Sequence, residues 1–304
     1  MNVENLLRET LADMADEQVP PPPARFLAHR PASRRGTALA AAVTVVALAM
    51  GGTIAVKTLS PEAGRPQAPV AARPEPQRMH QVTTDGGWRV TRLFDSLSRV
   101  TGQPADSFAR AAEDGRALGL PPYAKGRLEG FAYPGTYRFA DSATPAEILT
   151  GMVARFRETA DELGLASRRA PRDVVIIASL VQAESPTEAD MPKVARVIHN
   201  RLARGLQLKL DSPLLYGLGR NGGSITSEDT MRRSPYNTYR HRGLPPGPIS
   251  NPGEAALKAA LHPAEGSWLY FVLTDQKTGT LGFATSDKEY SELIRRVART
   301  RLSG

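Results

Sequence analysis

The stretch Asp173-Val-Val-Ile-Ile-Ala-Ser-Leu-Val-Gln-Ala-Glu184, followed by Ser185-Pro186, decides how this 304-residue chain is read. It predicts an apolar helix that ends on a carboxylate. At 100° per residue Ile177 and Glu184 fall within about 20° of each other, with Leu180 and Val181 alongside, so Glu184 extends a buried stripe. Apolar surroundings raise a carboxylate's pKa, and the negative end of a helix dipole, placed here if Pro186 stops the helix, raises it further. Such a group can stay protonated near neutral pH and serve as a general acid. Taken alone, the segment favours a simpler reading, a frayed terminal Glu turned to solvent.

Working outward, Asp190 and Pro192 open a second helix, Met191 to Ala203, with an apolar stripe through Val194, Val197, Ile198 and Leu202 and a Gly205 stop. It is expected to hairpin back on the first. Leu208 to Gly219 then places Asp211 and Tyr216 on a turn-bounded segment, and a polar loop runs from Arg220 to Arg233. Ser234-Pro-Tyr-Asn-Thr-Tyr239 leads into Gly243-Leu-Pro-Pro-Gly-Pro-Ile-Ser-Asn-Pro-Gly253, whose prolines and glycines fix a path without regular structure. A helix restarts at Pro252-Gly253 and runs to Leu261; Trp268 to Leu273 reads as a strand, with Gly282 to Thr285 as its partner. On the other side, Gln81 to Gly164 alternates short pieces, as in a small α+β module. Trp88 to Val90 reads as extended, Leu93 to Val100 and Ser107 to Leu118 as helical, and Thr144 to Leu163 as a longer helix. Between them lies the aromatic-rich turn Leu128-Glu-Gly-Phe-Ala-Tyr-Pro-Gly-Thr-Tyr-Arg-Phe139, whose rings read first as core packing.

Thr37 to Val56 is 20 residues without a charge, matching the roughly 20 needed to cross a bilayer. A transmembrane helix is expected there, ahead of a cleaved signal peptide or a buried soluble helix. Arg25, Arg30, Arg34 and Arg35 precede it and Lys57, Arg65 and Arg73 follow, a slight bias that puts the N-terminus in the cytoplasm and the rest outside. Val3, Leu6, Leu7, Leu11 and Met14 recur at helical spacing in the leading segment, and Ser60 to Gln77 is rich in Pro and Ala, as in an extended linker. The net charge of +8 suits an anionic setting, whether nucleic acid, lipid headgroups or an acidic wall polymer. Its basic residues are spread out and no nucleic-acid motif is present, so direct nucleic-acid binding is not expected. With no cysteine, disulfide scaffolds, thiolate metal sites and cysteine nucleophiles are excluded. The five histidines show no metal-ligand spacing, so neither a metal nor a cofactor is expected.

A helix-borne carboxylate, a stiff loop and the amphipathic group Tyr236, Asn237, Thr238 and Tyr239 together suit a sugar, which offers apolar ring faces and hydroxyls. Glycosidic cleavage needs a proton on the leaving oxygen and commonly a second carboxylate. Asp211 is the candidate for the second, although by itself it reads more simply as a turn or cap residue before Ser212-Pro213.

The ordered motifs LEGFAYPGTYRF (128–139), ASLVQAE (178–184), NRL (200–202), LDSPLLYGLG (210–219), YNTY (236–239), GLPPGPISNPG (243–253), LKAALHP (257–263) and YFV (270–272) resemble the endolytic murein transglycosylases, the MltG or YceG-like family. The resemblance covers about Gln81 to Ile294. It implies a single-pass cell-membrane protein with an α+β fold: cytoplasmic segment 1–36, span 37–56, linker 57–80, LysM-like subdomain with connecting region 81–164, and catalytic subdomain 165–304. It implies cleavage between N-acetylmuramic acid and N-acetylglucosamine in peptidoglycan, with Glu184 as catalytic acid and then base. The muramyl C6 hydroxyl would attack its own anomeric carbon, leaving a 1,6-anhydromuramyl end. Asp211 corresponds to a family Asp, and Tyr216, Tyr236, Asn237, Thr238 and Tyr239 become candidate substrate-binding residues. Ending nascent strands beside membrane-bound murein synthases is a further implication. The chain departs from the family at Gln182, where relatives often carry Glu, at Lys209, Leu210, Ser212 and Pro213 around the Asp, and at Leu281. A non-catalytic wall-binding or synthase-scaffolding protein, and a hydrolase pairing Asp211 with Glu184, are the alternatives.

Overall fold

The computed structural model describes residues 78–302. The expected helix around Met14, the 37–56 span and nearly all of the 57–80 linker therefore lie outside the described residues. Among the described residues, no helix is long and apolar enough to cross a membrane.

The first part runs β1 (Met79–Thr84), α1 (Val90–Thr101), α2 (Ala105–Glu113), β2 (Gly135–Ala140) and α3 (Pro145–Glu162). β1 and β2 pair antiparallel, from Met79 opposite Ala140 to Thr84 opposite Gly135. The second part runs α4 (Pro171–Glu184), α5 (Met191–Ala203), α6 (Asp211–Gly217), α7 (Ser227–Met231), α8 (Glu254–Leu261), β3 (Tyr270–Asp275), β4 (Thr280–Ala284) and α9 (Asp287–Leu302). β3 and β4 form an antiparallel hairpin with an irregularity between Leu273 and Asp275. The class is α+β, as expected.

α3 starts where its sequence says it should. Thr144 accepts from the Glu147 amide at 3.3 Å while Glu147 accepts from the Thr144 amide at 2.7 Å, and Pro145 takes the first helical position. Its apolar face is shared. Ile148, Leu149, Met152 and Val153 pack with Leu93, Leu97, Phe108 and Phe139 in one core. Phe156 and Ala160, one turn on, join Phe131, Leu165, Val175, Leu180, Ile198 and Leu257 in the other.

α4 differs from the one-sided stripe its periodicity suggests, because Val175 through Val181 are all buried. α5, α8 and the 243–253 loop enclose it. Its one polar residue there, Ser179, donates to the Ile176 carbonyl at 2.7 Å and accepts from the Ile249 amide at 3.2 Å, so no polar group is stranded. α5 matches its expected bounds and packs on α4. Arg201, also buried, donates to the carbonyls of Gln207 and Leu269 at 2.8 and 2.7 Å, tying α5 to the start of the β3–β4 hairpin.

Three local expectations differ from the structure. The strand of the first part is Met79–Thr84, whereas Trp88 and Arg89 are only an extended lead-in and Val90 opens α1. α2 stops at Glu113 rather than near Leu118, since Asp114 leaves helical geometry and Gly119 turns at φ +73°. The segment at Asp211 is a seven-residue helix, and the polar loop hides α7, whose Thr226 and Asp229 form a capping box.

Candidate active site

Glu184 is the last residue of α4; Ser185 caps the helix through its amide to the Val181 carbonyl at 3.0 Å. The side chain is half-buried and meets the opposite end of another helix. Ser212, second residue of α6, donates its hydroxyl to Glu184 Oε1 at 2.5 Å and its amide to the same oxygen at 3.3 Å. Leu210, the residue before α6, has no side chain that could cap it, so Glu184 satisfies an otherwise orphan amide. Burial pushes the Glu184 carboxyl up to about 7; the Ser212 hydroxyl opposes that rise and the neighbouring Asp211 charge adds to it. A carboxyl there is divided between acid and base near neutrality, as proton donation followed by proton removal requires.

Asp211 opens α6 and is exposed, yet desolvation raises its carboxyl; the Tyr239 hydroxyl donates to its Oδ1 and opposes the rise. Tyr290 of α9 faces the same carboxylate and stacks on Tyr270 with centroids 5.0 Å apart. The C-terminal helix thus reaches the site. Thr238 holds the approach to α6: its hydroxyl accepts from the Leu210 amide at 2.9 Å and donates to the Leu210 carbonyl at 3.0 Å. Asn237 donates to the carbonyls of Thr230 and Arg232 at 3.0 and 2.8 Å and accepts from the Tyr239 amide at 3.0 Å. Both side chains are buried and already engaged, so they shape the segment rather than present polar groups at its surface.

Tyr216, near the end of α6, packs against Tyr236 in a tilted pair with centroids 4.8 Å apart, and the Arg89 guanidinium lies 4.9 Å from its ring centre. Gly217 makes this approach possible, because a Cβ there would stand 2.3 Å from Ser234 Oγ and 2.9 Å from Tyr236 Cβ. The Tyr216 hydroxyl donates to Glu129 Oε2 at 3.3 Å. Glu129 also accepts from the Val90 amide, at 3.2 Å on Oε1 and 3.4 Å on Oε2, and from Asn251 Nδ2 at 3.5 Å. Burial pushes this second carboxyl to about 7 as well, against the Val90 and Tyr216 hydrogen bonds and the Arg89 charge. Asn251 completes the joint: Oδ1 accepts from the Gly130 and Ala132 amides at 2.9 and 3.0 Å, and Nδ2 donates to the Trp88 carbonyl at 2.9 Å. Gln182 fastens the loop's end by accepting the Gly253 amide at 3.0 Å.

Of the residues singled out in the sequence, Glu184, Asp211 and Tyr239 come together, Tyr216 and Tyr236 form a neighbouring aromatic pair, and Asn237 and Thr238 lie beneath. Ser212, Glu129, Asn251 and Tyr290 were not singled out as site residues. Glu129 carried the same signal as Glu184, a lone carboxylate in an apolar run, inside a motif read for its aromatics. Among the described residues, no group of three or more His, Asp or Glu side chains could hold a metal ion.

Residues 58–296 match the model of the YceG-like family. The chain belongs to the YceG-like family. A YceG-like protein of Listeria monocytogenes, known from a crystal structure, superposes with a TM-score of 0.60 at 27% identity, covering 70% of this chain and 75% of that one. The endolytic murein transglycosylase of Bacillus subtilis (strain 168) is 34% identical over 169 residues, 54% of this chain and 46% of the relative. That of Streptococcus pneumoniae serotype 2 is 29% identical over 188 residues, 59% and 34% of the two lengths. This YceG-like chain thus spans less than half the length of the two transglycosylases it matches.

Proposed function

We propose that the chain is a membrane-anchored endolytic lytic transglycosylase of peptidoglycan, cutting between N-acetylmuramic acid and N-acetylglucosamine and leaving 1,6-anhydromuramyl ends. The observation that carries this reading is the Glu184 carboxyl, raised to about 7 at the meeting of two helix ends. Its proton passes to the glycosidic oxygen as the C1–O bond breaks. The carboxylate then takes the proton of the muramyl C6 hydroxyl as that oxygen bonds to C1, so no water is consumed and Glu184 ends protonated. One carboxyl suffices, which agrees with an Asp211 already engaged by Tyr239. Tyr216, Tyr236 and Tyr239 offer ring faces to sugars, and Asn237 and Thr238 serve them by fixing the segment. Residues 37–56 anchor the chain with 1–36 in the cytoplasm; a linker follows up to the start of β1 at Met79, then a LysM-like murein-holding part to residue 164 and the catalytic part, 165–304. Membrane-bound murein synthases are the partners this placement suits.

The test is to incubate the full chain with murein glycan strands and analyse the ends by mass spectrometry. Anhydromuramyl ends that vanish with Glu184→Gln are expected. Their absence with wild type would sink the reading; reducing ends instead would indicate a hydrolase, and retention on murein without cleavage a wall-binding protein.

A further inference from the structure

The two oxygens of Glu184 are not equivalent. Oε1 accepts both Ser212 hydrogen bonds, while Oε2 accepts none from the other described residues. A protonated carboxyl carries its proton on one oxygen, and an oxygen already receiving two donors is the poorer place for it. We propose that Ser212 is a positioning residue of the transglycosylase reaction, holding Oε1 so that the transferable proton resides on Oε2 at a fixed carboxyl rotation. The inference rests on the reading of Glu184 as acid and base.

The geometry serves the forward step. When Oε2 gives up its proton, negative charge spreads onto Oε1, and the hydroxyl contact at 2.5 Å becomes charge-assisted, a stronger bond than its neutral counterpart. Ser212 therefore stabilises the state that donation creates, without moving. When the C6 hydroxyl yields its proton, Oε2 receives it and Ser212 still holds Oε1. The groups facing Glu184 divide cleanly. Burial and Asp211 favour the neutral acid, Asp211 being tied to Tyr239 and faced by Tyr290; among the described residues it is Ser212 that favours the carboxylate. Ser212 thus limits how far up the pH scale burial keeps the acid loaded.

A residue that merely capped α6 would affect stability and leave the titration of Glu184 where it was. Ser212→Ala removes the 2.5 Å donor and keeps the amide. The alkaline limb of kcat/KM against pH should move up by about one unit, with kcat at neutral pH down about tenfold and KM changed less. Ser212→Thr should restore both to within about twofold, and Asp211→Asn should move the limb the opposite way. The side-chain carboxyl 13C resonance of Glu184, identified by its loss in Glu184→Gln, should titrate about one unit higher in full-length Ser212→Ala, with or without murein. If Ser212→Ala does not fold, Ser212→Cys, with a weak donor of similar size, should move both readouts in the same direction. Wild type that cleaves strands, combined with an unmoved limb and resonance in the variant, overturns the role of Ser212 alone. Wild type that yields no anhydromuramyl ends overturns the transglycosylase reading and the role with it.

Discussion

Glu184 and Glu129 are both carboxyls pushed to about 7 by burial, yet their surroundings differ in kind. Glu129 has hydrogen bonds on both oxygens and a guanidinium nearby, a saturated group that fastens α1, α6 and the 243–253 loop. Among the described residues Glu184 is bonded on Oε1 only, and it borders an exposed carboxylate. A raised pKa alone therefore does not mark a catalyst; under the proposed function it is the spare oxygen that sets Glu184 apart from Glu129.

The sharpest way to break the contrast is to neutralise each carboxyl in turn. Glu184→Gln should lower turnover by about a thousandfold or more, within the range attributed to general acid–base groups. Glu129→Gln should lose no more than about tenfold, read by anhydromuramyl product formation. Equal losses would mean that Glu129 also takes part in the chemistry.

Stability against pH is the next largest effect. Both folded values lie above the ordinary Glu value of 4.5, so as pH rises from there to about 7 the unfolded chain releases these protons first. Folding stability should fall across that window and level off above it. Each carboxyl accounts for up to about 3 kcal/mol of the fall. Glu184→Gln and Glu129→Gln should each flatten part of the slope and unfold at higher denaturant than wild type when compared at pH 8. A wild-type stability that rises from pH 5 to 8 would contradict both assignments.

At pH 5, where those penalties are small, truncation separates the two roles. Glu129→Ala leaves the Val90 amide and the Tyr216 hydroxyl without their acceptor, and should cost about 2–3 kcal/mol in urea unfolding. Glu184→Ala, which strands chiefly the Ser212 donors, should cost less, about 1 kcal/mol. Tyr216→Phe, losing one 3.3 Å hydrogen bond, should cost about 1 kcal/mol or less and leave the Glu184 resonance unmoved. A shift of that resonance would show that the joint and the acid communicate through α6.

The elements that the sequence made legible are those with local signals. α3 has its Thr144 cap and Pro145, α5 its Pro192 and Gly205 exit although Asp190 does not cap it with its side chain, and the β3–β4 hairpin its apolar runs. Glu184 was legible because its helix ends on it. Ser212 and Glu129 depend on partners far along the chain, 28 residues from Ser212 to Glu184 and 87 from Glu129 to Tyr216, and no local pattern announces such pairs. Asn237 and Thr238 misdirected the reading for a related reason. Polar side chains in a loop suggest exposure, but here the loop's own carbonyls and amides consume them.

α3 is a wall common to two rooms. Its first turns close the core around Phe108 and its last turns close the core around Val175, with Phe131 and Tyr133 reaching the second room from the first stretch of chain. Cutting between residues 164 and 165 would therefore leave the portion bearing the acid without Phe131, Tyr133 and Phe156, an open side lined with leucine and valine. The first stretch of chain thus keeps the second one shut, and residues 78–302 should melt in one cooperative transition rather than two.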